Sequence, residues 1–292
     1  MEDKQQWNGK SRGGALGTTI FVKLTTICGP RVAYVLLLLV IPYFVLFAPK
    51  ASRASYKYHR KILHRGVVAS FGAVFFHFYT FGRVLVDRIA VRHGLTHFYT
   101  FKRSGEAEVM QLIDQKRGAI LLGAHVGAWE IGPMMSDRYA SKINVAMIDA
   151  EYQAVKRVIE NGVDILPYNI IPIKTDGLES VLQIKQAIDR GELVSFLSDR
   201  YLQGHDTIDI TLMGKPAKLP AGVFKIATRL RVPVVLYSSM RDRGLVYNFS
   251  FKTIDSKLLT PQKLAELYAE YLEELIKQYP DQWFNLYDFW RN

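Results

Sequence analysis

The chain has 292 residues, 49% hydrophobic and 22% charged, which is enough for one large core and too apolar for extended disorder. Its net charge of +11 is uneven: residues 1–103 hold 16 Lys/Arg against 3 Asp/Glu, and the rest holds 22 against 24. Basic residues flanking apolar sequence point to an anionic membrane surface and away from nucleic acid, while a single cysteine, Cys28, excludes a disulfide framework or a cysteine metal cluster.

In chain order, residues 32–48 are the first long apolar run, 17 residues without a charge, the lower limit for a helix that crosses a bilayer. The run begins late, and Pro49-Lys50-Ala51 is a poor cleavage site, so an anchor fits better than a cleaved signal peptide. Lys50, Arg53, Lys57, Arg60, Lys61 and Arg65 follow it; Lys4, Lys10, Arg12, Lys23 and Arg31 precede it. This balance slightly favours a cytoplasmic C-terminal domain and suits equally a helix lying in one leaflet. A buried core helix would carry the same apolarity. Residues 66–82 are again uncharged and rich in Phe, and they read as a core or interface helix in preference to a second span. The organisation expected is a basic, hydrophobic anchor over residues 1–65 and one folded domain over 66–292.

From residue 106 onward apolar runs alternate with helical patterns. Residues 119–124, 143–148, 170–173, 193–197 and 233–238 read as buried strands, and 245–251 as an edge strand. Helices are expected at 106–117, 128–138, 151–161, 177–190 and 221–231, and a last amphipathic helix at 261–278, stopped by Tyr279 and Pro280. The pattern predicts an α/β fold, a central mixed sheet flanked by helices.

The chemistry concentrates in GAHVGAWEIG, residues 123–132. His125 falls just after a buried strand, where ligands of α/β sheets sit, and Gly123 and Gly127 keep the backbone slim around it. A histidine side chain titrates near neutrality and suits a general base, and a carboxylate on its other ring nitrogen would hold the tautomer. Glu130, five residues on, is the carboxylate nearest in sequence. Backbone N–H groups near Gly127, or a neighbouring Arg or Lys, are candidates for stabilising an oxyanion. Taken alone, a His and a Glu at this spacing are a weak signal that fits a structural histidine better than a catalytic one. The elbow G-x-S-x-G, the loop G-x-G-x-x-G and the zinc spacing H-E-x-x-H are all absent, so no cofactor and no metal are expected, although His125, Glu130 and His205 are possible ligands by type.

HVGAWE at 125–130 resembles the H-x4-D/E signature of membrane glycerolipid and lipid A acyltransferases. LSDRYLQG at 197–204, GKPA at 214–217 with Pro220 and Ala221, and YPDQWFNLYDFW at 279–290 are similar to further blocks of the lipid A late acyltransferase family, in the same order. Ala124 stands where many members carry Asn, and Met213 where Phe is common.

The resemblance implies a glycerolipid acyltransferase-like fold. It implies His125 as the catalytic base with Glu130 as its partner, and Asp199, Arg200, Gly127 and Trp129 shaping the substrate site. The donor would be acyl carrier protein or coenzyme A. The acceptor would be an amphiphile of a bacterial inner membrane, a lipid A precursor first, with amino-acid lipids, glycolipids or polyenes as alternatives, and the catalytic domain would face the cytoplasm. The basic stripe from Arg83 to Arg103 is a candidate dock for an acidic carrier. The rival readings are a lipid-binding protein without catalysis and a thioesterase in which His125 activates water.

Overall fold

The computed structural model describes residues 14–131, 142–148, 168–173, 178–201 and 204–290. The N-terminal part is helical: α1 (Gly14–Cys28), α2 (Pro30–Phe47), α3 (Pro49–Lys57), one π turn (Tyr58–Ile62) and the long α4 (Val67–Arg92). Pro30 and Pro49 open α2 and α3 at the first-turn position, where the missing N–H costs nothing. The α2 and α4 helices are long and apolar enough to cross a membrane by length and composition. One face of α4 is docked on the protein: Val74, Phe78, Val84, Val86 and Ala90 are buried in a core shared with α2.

After β1 (Thr100–Ser104) come α5 (Glu106–Asp114), β2 (Ala119–Gly123), β3 (Ile143–Ile148), β4 (Asn169–Ile173), α6 (Leu178–Asp189) and β5 (Leu193–Leu197). The chain then makes a hairpin, β6 (Thr207–Leu212) and β7 (Lys215–Pro220), followed by α7 (Ala221–Leu230), β8 (Val234–Arg241), β9 (Val246–Ile254) and α8 (Pro261–Gln278). The sheet order is β1-β9-β8-β2-β5-β3-β4; all neighbours pair in parallel except β8 with β9, so the sheet is mixed as expected. In β2, at the centre, Ile120 and Leu122 point into the core under α7 and α8, while Ala119 and Leu121 point into the core under α5. Both faces of the sheet are therefore covered at its centre, the reason β2 reads as an unbroken apolar run. Thr260 caps α8 by accepting the Lys263 N–H at 3.1 Å.

Three expectations change. The segment expected as an edge strand, 245–251, is an interior strand: β9 lies between β8 and β1, and Thr100–Ser104 takes the edge. The β6–β7 hairpin occupies residues 207–220, where no strand was expected; Met213 and Gly214, both at positive φ, make its two-residue turn. Residues 129–131 form a turn, the Ile131 N–H bonding the Ala128 carbonyl at 2.9 Å, and the rest of the helix expected at 128–138, like that at 151–161, lies outside the described residues.

A buried polar cluster fastens α4 to the sheet. Asp87 is fully buried and accepts from the hydroxyls of Tyr34, Tyr99 and Tyr247 and from Arg241 Nε at 3.1 Å. His77 of α4 bridges Ser55 Oγ and the Trp283 carbonyl, each at 2.9 Å, and so ties the helix to the C-terminal segment.

Candidate active site

The site follows from strand register. Strands β2 and β5 are parallel neighbours, with Ala119 opposite Leu193 and Gly123 opposite Leu197. The Ser198 N–H continues the ladder to the Gly123 carbonyl at 2.9 Å. Two residues past each strand end, on the same side by the two-residue period, stand His125 and Asp199. The imidazole Nδ1 is 2.7 Å from Asp199 Oδ1, and Asp199 Oδ2 accepts from the His125 backbone N–H and from the Trp283 indole N–H, both at 3.1 Å.

Asp199 is fully buried, and burial alone would raise its pKa; the His125 imidazole, Arg200 and the Trp283 donor outweigh that and hold the carboxyl down at about 2. It is an anion at any working pH. An anion on Nδ1 requires the proton there, which leaves Nε2 with its lone pair. Among the described residues nothing hydrogen-bonds Nε2, and the His125 side chain retains 12% exposure.

The pairing differs from the expected one. Glu130 does not meet His125: its carboxylate lies on Arg88 Nη1 and 3.7 Å from Arg92 Nη2 of α4. The turn at 129–131 directs residue 130 to the helix, whereas strand register directs residue 199 to the imidazole. Arg88 and Arg92 of the basic stripe are engaged in the same way.

Gly127 has φ +60, and a Cβ there would stand 2.2 Å from the Ser239 carbonyl oxygen, so only glycine fits. The Gly127 N–H donates to the Gln282 carbonyl at 2.8 Å and the Ala128 N–H to the Ser239 carbonyl at 2.7 Å. Neither of these two N–H groups is available to an oxyanion. Trp129 stands edge-on to the imidazole, ring centres 5.1 Å apart. Arg200 donates to the Phe284 carbonyl at 3.0 Å and lies 5.8 Å from the centre of the Tyr287 ring.

Residues 280–285 are zipped onto the motif. Val126 pairs with Trp283, and the Phe284 N–H donates to the His125 carbonyl at 2.9 Å. The Gln282 side chain clamps the Arg241 backbone through both its oxygen, at 3.0 Å, and its nitrogen, at 2.6 Å. The block was visible in the sequence, but only the fold shows that its tryptophan is a donor to the carboxylate on His125.

An imidazole and a buried carboxylate thus meet at the ends of adjacent parallel strands of an α/β sheet, an arrangement suited to general-base chemistry. The family described as bacterial lipid A biosynthesis acyltransferase matches residues 54–292, and the chain belongs to that family. No curated protein matches it significantly.

Proposed function

We propose that the protein moves a fatty acyl chain from the thioester of acyl carrier protein or coenzyme A to a hydroxyl or amine of a membrane lipid, a lipid A precursor being the first candidate. His125 Nε2 takes the proton of the attacking group, and Asp199 holds the tautomer and stabilises the imidazolium that forms. The observation that carries the reading is the 2.7 Å contact between Nδ1 and a fully buried carboxylate, with the opposite nitrogen unpaired among the described residues. Glu130 acts as a positioning residue, bracing the turn that carries Trp129 against α4. Arg200 and Gly127 shape the floor.

The acyl chain has an aromatic path. From Trp129, beside the imidazole, ring contacts run to Phe284 at 6.1 Å and from there to Phe81 of α4 at 5.0 Å. Membrane attachment has support in the surface. Of the eighteen exposed large hydrophobic residues among those described, fourteen lie between Ile20 and Phe98, including Val35, Leu39, Leu46, Val68 and Phe71. Such a concentration is far larger than the scattered apolar residues of a soluble surface. Residues 1–65 are then the anchor and 66–292 the acyltransferase domain, joined where Tyr58 and Ile62 enter the main core. We place the protein at the cytoplasmic face of a bacterial inner membrane.

The test supplies labelled acyl donor and lipid acceptor to the purified protein in membranes. Labelled lipid as product supports transfer; free fatty acid alone would make the protein a hydrolase, and no turnover with any lipid would leave a binder. The His125→Ala variant should fold normally and lose turnover; retention of the wild-type rate would refute the base assignment.

A further inference from the structure

Apart from the site at His125, the protein has a cavity of about 380 Å³ between α3, the π turn, the tip of the β6–β7 hairpin and the C-terminal segment. Its size is within the range of small-ligand sites. Three lysines face it, Lys57, Lys61 and Lys215, against one carboxylate, Asp288, which is already bonded to Lys57 at 2.5 Å. Among the described residues, Lys61 and Lys215 have no acidic partner. The cavity is therefore positive, with two ammonium groups to spare.

Asn285 lines the same cavity and is only 5% exposed, and its one polar side-chain partner is the Tyr287 hydroxyl, which also lies 3.4 Å from the Asp199 carbonyl. The rest of its amide makes no hydrogen bond to a described residue. A buried amide satisfied at one end only is costly unless something polar enters the cavity. Two flat walls, Tyr58 and Trp290, stand nearly parallel, 8° apart in tilt.

Position supplies the rest. Only Ala48 separates the end of α2 from the wall formed by α3, and Lys50, Arg53 and Arg60 are exposed around it. If α2 anchors the chain, the mouth lies at the level of lipid headgroups. Trp283, which lines the cavity, also gives its indole N–H to Asp199, so the two sites share one side chain.

We propose that this cavity is a binding subsite for the phosphate-bearing end of a substrate, its oxygens meeting Lys61 and Lys215 and the amide of Asn285. Lysine serves such groups as a compact point charge. That the ligand is a substrate rests on the acyl-transfer reading; that the cavity takes a phosphate does not. The phosphate could come from the donor, as the nucleotide and phosphopantetheine of coenzyme A, or from a lipid headgroup.

Because Trp283 and Trp290 line the cavity, tryptophan fluorescence of the full chain in detergent, with Trp129→Phe silencing the ring beside His125, reports occupancy without any turnover. Three probes are titrated: coenzyme A, dihexanoyl phosphatidic acid and inorganic phosphate. A saturable response to coenzyme A alone assigns the donor, and one to phosphatidic acid alone assigns the lipid. A response to both, or to inorganic phosphate alone, assigns a phosphate site open to either. In the Lys61→Ala/Lys215→Ala double variant the Kd should rise roughly tenfold for each lysine removed. Asn285→Leu, which fills the same space without polar atoms, should also weaken binding. No saturable response to any probe, or an unchanged Kd in the double variant, overturns the proposal. Either result leaves the role of His125 untouched, since that role fails only if His125→Ala keeps its turnover.

Discussion

Replacing Asp199 by asparagine separates the two carboxylates that compete for the role of partner to His125. The substitution keeps the shape of the side chain and removes its charge. Oδ2 accepts two N–H groups, from the His125 backbone and from Trp283, so the oxygen of an asparagine would turn to them and its NH2 would face Nδ1. Nδ1 would then have to accept, the ring proton would move to Nε2, and the base would be lost. The wrong tautomer in a serine-hydrolase triad costs about 10⁴-fold in kcat, or about 5 kcal/mol in the barrier, and a loss of that order is expected here. Glu130→Gln loosens a half-exposed ion pair with Arg88 and Arg92 and should lower kcat by only about tenfold. The assay is steady-state transfer of labelled acyl chain, with kcat and KM separated and folding checked by thermal melting. A Glu130→Gln loss equal to or larger than that of Asp199→Asn would refute the assignment. The pair also makes a prediction about pH. The folded carboxyl of Asp199 is depressed from 3.8 to about 2, so its charge stabilises the fold above pH 4 and that stabilisation, about 2 kcal/mol, is lost as pH falls through 2. The stability gap between wild type and Asp199→Asn should narrow over that window in acid denaturation.

Asp87→Ala would leave the buried Arg241 guanidinium without its carboxylate and should cost about 3–5 kcal/mol, read as a melting temperature lower by roughly 10 °C. Gly127→Ala forces a Cβ to within 2.2 Å of the Ser239 carbonyl at positive φ; about 2 kcal/mol or more of stability should be lost, along with activity, because His125 is two residues away. Leu39→Asp, on the exposed side of α2, should weaken vesicle binding in a flotation assay by roughly 100-fold, given a cost of about 3 kcal/mol for a carboxylate at the centre of an inserted helix. If Leu39→Asp floats like wild type, α2 is not in the bilayer.

Much of the architecture was legible because local physics dictates it. The largely apolar runs at 119–124 and 193–197 read as strands covered on both faces, and the 3.6-residue pattern at 261–278, stopped by Tyr279 and Pro280, as a helix against them. His125 stood out for the same reason, a polar residue between glycines at the end of such a strand. The sequence could not reveal its partner. Glu130 is close in the chain, but a turn sends it to α4, while Asp199 is 74 residues away and arrives through the parallel register of β2 and β5. Pairing across strands depends on the order of the sheet, which no local pattern carries, and the same gap hid the interior place of β9. The indole N–H of Trp283 on Asp199 and the cavity that gathers Lys61, Lys215 and Asn285 likewise exist only after the C-terminal segment has folded back across the sheet, bringing together groups that composition leaves scattered.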